Sequence, residues 1–231
     1  MIFADLPGRL AAIRAEIARR QAEGGWTHPV TLVAVTKGFG ADAVAAALGA
    51  GIADVGENRV QEALGKMDDV RARGLAPRWH LIGHLQRNKA RFVPGRFALV
   101  HAVDSLELAR ELDRRADAAG ARVPVLVQVN VAGEAQKSGC PPEEAAAVVR
   151  GAAECPGLAV EGLMTMAPFT DDEDVQRRTF RDLRMLRDRI QEGGPCLPTL
   201  SMGMSGDYGT AVAEGATLIR LGTALFGPRE T

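Results

Sequence analysis

Short apolar runs recur along the chain and predict eight β-strands. They are rich in Val, Leu, Ile and Ala, and most are followed by glycine within two residues. A continuous apolar run of this length indicates a strand that is buried on both faces, as in a parallel sheet. The predicted strands cover residues 31–37, 52–55, 78–82, 97–102, 124–131, 158–165, 197–201 and 217–221.

The longer segments between these runs have apolar residues at helical spacing. In the first of them, residues 5–23, the side chains of Leu6, Leu10, Ile13 and Ile17 fall on one face. The other predicted helices cover residues 42–50, 59–70, 86–92, 105–119, 141–154, 172–191 and 207–214, with a turn or helix at 224–226.

Strands that alternate with helices indicate parallel pairing through right-handed crossovers. Eight such units in 231 residues predict a (β/α)8 TIM barrel with an additional N-terminal helix. The alternative is an open, doubly wound sheet. No Gly/Ser/Pro linker divides the chain, so we expect a single domain over residues 1–231.

Composition and charge narrow the class of protein. The net charge is −1, which does not favour nucleic-acid binding. The apolar runs are shorter than the roughly 20 residues of a membrane span, and the N-terminus lacks the pattern of a signal peptide. The three cysteines are widely spaced and odd in number, which fits a reduced cytoplasm. We therefore expect a cytoplasmic protein with neither nucleic acid nor membrane as partner.

Lys37 follows the apolar run of the first predicted strand. In α/β folds the chemistry lies at the carboxyl ends of the strands. A lysine in this position either marks the solvated end of a strand or is an amine partly shielded from water. Shielding lowers the pKa of an amine and allows it to attack a carbonyl and form an imine.

The loops after the last two predicted strands have the composition of a phosphate site. Ser201, Gly203 and Ser205 follow the seventh strand, and Gly222 and Thr223 follow the eighth. Barrels often bind phosphate between these two loops. Glycines let the backbone approach the phosphate oxygens, and N–H and hydroxyl groups donate to them. Such loops are also ordinary turns, and only their joint occurrence favours the phosphate site.

Three further features allow more than one interpretation. Arg220 is either a surface residue or a permanent hydrogen-bond donor in the barrel mouth. His80 and His84 have a spacing seen in zinc sites, but a strand and a glycine interrupt the helix that such a site needs, so we predict no metal. The basic cluster at residues 87–91 is either a solvated helix face or a weak anion or partner site.

Taken together, the motifs resemble those of the pyridoxal 5′-phosphate homeostasis proteins, single-domain relatives of the N-terminal barrel of alanine racemase. The resemblance extends through nearly the whole chain. The matching segments are 34–37, 56–58 with 61–62, 79–86 with 88–89, 129–131 with 133–134 and 137–139, 162–166, 201–205 and 220–227.

The resemblance implies that Lys37 carries pyridoxal 5′-phosphate (PLP) covalently as an internal aldimine. It also implies that Arg220 faces the pyridine nitrogen, which weakens the ring as an electron sink. The other cofactor-binding residues that it implies are Asn58, Ser201, Met204, Ser205, Gly222 and Thr223. Racemases commonly have histidine at the position of Met166 and draw a catalytic tyrosine from a second domain, whereas the one tyrosine here is Tyr208.

The leading hypothesis is therefore a PLP-binding protein that takes part in vitamin B6 homeostasis without substantial catalysis. The alternative is a PLP-dependent racemase or related enzyme, and a weaker one is a Schiff-base aldolase that uses no cofactor. The expected partners are the cofactor itself and PLP-dependent apoenzymes as its recipients. We expect the protein to be a monomer.

Overall fold

The computed structural model describes residues 3–134 and 136–228, so the rest of the predicted 1–231 domain lies outside the described residues. The strands are β1 (Thr31–Val35), β2 (Asp54–Glu57), β3 (Arg78–Leu81), β4 (Leu99–Val103), β5 (Val123–Gln128), β6 (Leu158–Met164), β7 (Thr199–Ser201) and β8 (Leu218–Leu221). The helices are α1 (Leu6–Gly24), α2 (Ala41–Gly49), α3 (Val60–Ala72), α4 (Leu106–Ala118), α5 (Pro142–Ala153), α6 (Glu173–Gln191), α7 (Tyr208–Ala213) and α8 (Thr223–Phe226), and a 3-10 helix covers Arg87–Phe92.

The eight strands form a closed barrel because β1 pairs with β8 as well as with β2. The β1–β8 pairs run from Thr31 opposite Leu218 to Ala34 opposite Leu221. All pairings are parallel, so the carboxyl ends of the strands meet at one face. This closure confirms the predicted (β/α)8 barrel and excludes the open doubly wound sheet.

The apolar core has two parts. The larger lies between the strands and the surrounding helices, where Ala and Val of the helices pack on the outer faces of the strands. The smaller is inside the barrel and consists of Val33, Leu99, Leu126, Met164 and Leu218. Because this inner cluster is small, the rest of the interior has room for polar side chains.

Several strand boundaries differ from the prediction by two or three residues; for example, β5 ends at Gln128 and β7 begins at Thr199. The differences in β1 and β2 concern the mouth of the barrel. β1 stops at Val35, so Lys37 lies in the following turn instead of ending the strand. β2 begins at Asp54 and includes Gly56 and Glu57, which the sequence indicates as loop. A Gly-Glu pair is typical of turns, but here the Glu57 side chain is fully buried and is bound by Thr36, which follows β1, and by Lys66 of α3.

The remaining differences are small. The predicted helix at residues 86–92 is a 3-10 helix, and the other helices begin and end within about three residues of their predicted bounds. The additional helix α1 packs against α7 and α8. Ion pairs join it to α6, with Arg20 bound to Glu173 at 3.0 Å and Glu23 bound to Arg177 at 2.6 Å. Among the described helices, none is long and apolar enough to cross a membrane.

Candidate functional site

The loops after β1, β7 and β8 lie together at the carboxyl end of the barrel. Ala34 of β1 is opposite Leu221 of β8, so Lys37 and Gly222 follow neighbouring strand ends. A Cβ atom added at Gly222 would lie 3.7 Å from Val35. The loop after β7 borders the same region because β7 pairs with β8. The fold thus brings the predicted site loops to one mouth.

Arg220 reaches into the barrel interior and is only 3% exposed. Its Nη1 donates to Ser201 Oγ at 2.5 Å, and its Nη2 donates to the carbonyl oxygen of Thr165 at 2.9 Å. These two bonds fix the plane of the guanidinium group from the sides of β6 and β7. No sequence signal identifies Thr165 as a partner, because it acts through its backbone carbonyl. The interpretation of Arg220 as a surface residue is therefore wrong.

The guanidinium of Arg220 is charged although it is deeply buried. Burial lowers the pKa of Arg220 to about 10, and the nearby negative charge of Asp207 opposes this shift. Among the described residues, no carboxylate forms an ion pair with the guanidinium. Arg220 is thus a cationic donor at neutral pH, held by a hydroxyl and a carbonyl oxygen.

Ser205 brings the two predicted phosphate loops into contact. Its Oγ accepts hydrogen bonds from the backbone N–H groups of Gly222 at 3.2 Å and Ala224 at 3.1 Å. Two N–H donors of the β8 loop therefore converge on one oxygen position. Thr223, which begins α8, lies between these donors and is exposed. Because these two N–H groups use the lone pairs of Ser205 Oγ, the hydroxyl proton is left to donate to an anion oxygen beside it, and this arrangement fits a phosphate group.

The backbone N–H of Met204 has a different partner. It donates to Asp207 Oδ1 at 2.5 Å, so the buried Asp207 carboxylate holds the β7 loop in shape. Gly203 allows the tight path of this loop, because it has φ +96° and a Cβ there would lie 2.7 Å from the Ala211 side chain. Burial raises the pKa of Asp207, although the bond from Met204 and the charge of Arg220 oppose it. Asp207 is a structural residue of this loop that our sequence reasoning missed.

Hydrogen bonds on both sides of Lys37 fix the turn that holds this residue. Lys37 is half-buried. The N–H of Phe39 donates to the Thr36 carbonyl at 3.0 Å and closes the turn. The N–H of Gly38 donates to Glu62 Oε1 at 2.8 Å. The backbone at Lys37 is thereby attached to α3, which supplies Glu62.

Glu57 and Lys66 form a buried ion pair beneath the Lys37 turn. Lys66 Nζ lies 2.5 Å from Glu57 Oε1 and donates to the Thr36 carbonyl at 2.7 Å. The Thr36 hydroxyl also donates to Glu57 Oε1 at 2.5 Å. Burial raises the pKa of Glu57, while the bonds from Lys66 and Thr36 oppose the shift. The pair therefore determines where the residue before Lys37 lies.

The other residues singled out in the sequence lie away from these loops or at their edge. Asn58 follows β2 and touches the backbone at Gly83, where a Cβ would lie 2.4 Å from the Asn58 carbonyl oxygen. His80 is buried in the barrel, whereas the exposed His84 lies 3.6 Å from Asp104, so the two histidines have different surroundings. The basic cluster at residues 87–91 lies on the 3-10 helix.

Comparison with known proteins agrees with the motif resemblance. Residues 9–230 match the family of the alanine racemase N-terminal domain. The pyridoxal phosphate homeostasis protein of Pseudomonas aeruginosa is 42% identical over 96% of this chain and 94% of its own length. The structure of PipY from Synechococcus elongatus with PLP bound has a TM-score of 0.83 and 36% identity, and the match covers 96% of this chain and 100% of PipY. A protein from Bifidobacterium adolescentis has a TM-score of 0.90 at 36% identity, with 97% of this chain and 95% of that chain covered.

The fold and the arrangement of the mouth define a (β/α)8 barrel of the alanine racemase N-terminal type. Within this class, the family is decided by the identity to pyridoxal phosphate homeostasis proteins, which is 42% for the Pseudomonas aeruginosa protein and 35% for that of Escherichia coli. Both matches cover at least 94% of each chain. The chain belongs to the pyridoxal phosphate homeostasis protein family, which confirms the resemblance found in the sequence.

The Glu57–Lys66 pair generates a prediction about stability. Lys66→Met leaves a buried carboxylate without its charge partner and should lower the free energy of unfolding by about 3–5 kcal/mol. Adding Glu57→Gln should restore part of this loss, because the amide no longer needs a counter-charge. The matched control is Lys89→Met on the 3-10 helix, which should change stability by no more than about 0.5 kcal/mol. Urea denaturation measures all three variants, and a loss below 1 kcal/mol for Lys66→Met would contradict the prediction.

Proposed function

We propose that this protein binds PLP at the carboxyl mouth of the barrel and holds it covalently as an aldimine on Lys37. The observation that carries the proposal is the arrangement of three different groups around one mouth. An amine lies in the β1 turn, two N–H donors converge at Ser205, and a buried guanidinium lies below them. These groups match an aldehyde, a phosphate and a ring nitrogen, respectively. The bound PLP in PipY supports the same ligand class.

Each proposed contact follows from the chemistry of the residue. The hydroxyl of Ser205 and the backbone of Gly222 and Thr223 would hold the phosphate. Ser201, at the end of β7, and Met204, in the loop after it, would border the cofactor, since the Ser201 hydroxyl is bonded to Arg220 and the Met204 N–H to Asp207. Arg220 would donate to the pyridine nitrogen, and Asn58 would border the ring. Because an arginine has no proton to give up at neutral pH, the ring nitrogen would remain an acceptor. Bound PLP supplies an electron sink, and this donor weakens it.

We further propose that the protein stores and delivers PLP and does not act as an enzyme. Met166 lies at the edge of the inner apolar cluster, and its thioether transfers no proton. Tyr208 is on α7, which packs against α1. Burial raises the pKa of Tyr208, with smaller, mutually opposing effects from the charges of Glu16 and Arg20 on α1. The side chain of Lys37 can serve one face of a substrate, but these positions offer no group for the other. PLP-dependent apoenzymes in the cytoplasm would be the recipients, and the carrier would be a monomer.

Lys37→Ala should remove the absorption band of the imine and leave at most weak, non-covalent binding, because the side chain that forms the bond is absent. The matched control is Lys89→Ala, which should keep the band. Borohydride reduction and peptide mapping of the wild-type protein locate the cofactor among its lysines at positions 37, 66, 89 and 137. Label on any lysine other than Lys37 would refute the assignment.

Ser205→Ala should weaken PLP binding by roughly tenfold to a hundredfold, since it removes one hydrogen bond to a charged group. Binding of pyridoxal, which has no phosphate, should change by less than twofold in the same variant. Equilibrium titration of both vitamers with wild-type and variant protein gives the comparison. An equal loss for the two vitamers would move the phosphate away from the Ser205 loop.

Because neither Met166 nor Tyr208 would act as the second proton donor, we predict negligible racemisation of alanine. Proton–deuterium exchange at Cα of L-alanine in heavy water measures loss of the Cα proton, and chiral analysis of the product measures inversion. The Lys37→Ala variant gives the background rate. General acid or base groups contribute about 10²- to 10⁴-fold, so we expect far less than one turnover per second. Racemisation at roughly 1 s⁻¹ or faster that disappears in Lys37→Ala would favour the enzyme.

A further inference from the structure

A continuous chain of hydrogen bonds crosses the barrel interior from Arg220 to Asp54. Arg220 Nη1 lies 2.5 Å from Ser201 Oγ, which lies 2.9 Å from His101 Nδ1. His101 Nε2 lies 3.0 Å from His80 Nδ1, and His80 Nε2 lies 2.9 Å from Asp54 Oδ1. Each of the five residues is at most 6% exposed, so their hydrogen bonds do not compete with bulk water. We call these five residues the interior chain.

The two ends of the interior chain lie at opposite ends of the barrel. Arg220 is near the carboxyl mouth, whereas Asp54 is the first residue of β2. Asp54 also accepts two hydrogen bonds from Arg78, at 2.8 and 2.5 Å, and the Arg78 side chain is 63% exposed. Burial disfavours the ionised form of Asp54, but the bonds from His80 and Arg78 outweigh it and lower its pKa to about 2. The far end is therefore an ionised carboxylate.

These ends leave one arrangement of hydrogens when both histidines are neutral. Arg220 can only donate, and the carboxylate of Asp54 can only accept. Because the Asp54 carboxylate only accepts, His80 donates to it from Nε2 and accepts at Nδ1 from His101 Nε2. His101 Nδ1 then carries the lone pair, so the Ser201 hydroxyl donates to it while accepting from Arg220. Both imidazoles are then Nε2–H tautomers, and every bond points from the arginine to the carboxylate. Burial lowers the pKa of His101 well below its usual value, which agrees with a neutral ring.

We propose that His101, His80 and Asp54 are positioning residues for Arg220. By accepting the hydroxyl proton of Ser201, His101 keeps the lone pairs of that oxygen directed at the guanidinium. Hydrogen bonds that all point the same way polarise one another. The interior chain therefore couples the Arg220 cation to the Asp54 carboxylate, although these two groups are not in contact. The role of this fixed donor towards a cofactor ring rests on the function proposed above, whereas its position in the protein does not.

The first test uses nitrogen NMR of the histidine rings in protein without cofactor. The protein contains four histidines. Substitution of His28 and His84 by glutamine leaves the NMR signals of His80 and His101. We expect His101 and His80 to be neutral Nε2–H tautomers near pH 8. An Nδ1–H tautomer or a doubly protonated ring at either position would overturn the proposed arrangement.

The second test compares two substitutions at His101. A glutamine can accept from Ser201 and donate to His80, so His101→Gln should preserve the chain, whereas His101→Leu breaks it. In cofactor-free protein, hydrogen exchange of the Arg220 guanidinium should be at least tenfold faster in His101→Leu than in wild-type and close to wild-type in His101→Gln. Equal exchange rates in the two variants would overturn the positioning role.

The third test addresses the far end of the interior chain. Asp54→Asn keeps an acceptor oxygen but removes the charge, and it serves also if His101→Leu does not fold. The matched control is Asp113→Asn, whose carboxylate accepts from the Gly157 N–H just before β6 but lies outside the chain. We expect Asp54→Asn to accelerate exchange at Arg220 and to shift the pH at which the bound-PLP band changes, with neither effect in Asp113→Asn. An unchanged rate of hydrogen exchange at Arg220 in Asp54→Asn would overturn the role of Asp54 in positioning Arg220. A protein that binds no PLP would refute only the cofactor proposal.

Discussion

A buried arginine that, among the described residues, forms no ion pair with a carboxylate is the constraint on which the barrel interior depends. An isolated charge in the core is costly unless its hydrogen-bonding groups are fully used. The interior of a (β/α)8 barrel is normally filled by layers of branched apolar side chains. In this protein the apolar cluster around Leu126 fills only part of the barrel interior, and the polar residues of the interior chain occupy another part. His101 and His80 thus occupy interior positions of β4 and β3, where branched apolar side chains are usual.

Two separate buried groups support the two halves of the candidate site. The Glu57–Lys66 pair holds the turn of Lys37 from the side of β2 and α3, and the interior chain holds Arg220 from inside the barrel. Glu57 Oε2 is buried and, among the described residues, has no hydrogen-bond partner. A pair with one unsatisfied oxygen is not an efficient source of stability. We infer that such groups are retained because they fix the geometry of the mouth.

The sequence predicted the architecture well because periodicity and β-branched runs are local signals. It also located the loops after β7 and β8, since small residues at strand ends are visible in a single chain, while their role as a phosphate site stays a prediction. It did not predict Glu57 as part of a strand, or Asp54 and His101 as interior residues, because their partners lie on other strands and helices that come together only in the folded protein. Thr165 was missed for another reason, as it contributes a carbonyl oxygen that any residue carries.

Barrel closure through the β1–β8 pair also has a consequence for biosynthesis. Lys37 follows the first strand and Arg220 belongs to the last. One side of the mouth is therefore synthesised early in translation and the other side late. Contacts of such long sequence separation form late in folding. A nascent chain that lacks β8 has neither the guanidinium nor the N–H donors of Gly222 and Ala224. The complete mouth is thus a property of the finished chain, and a ligand that needs all three groups would select fully synthesised, folded molecules.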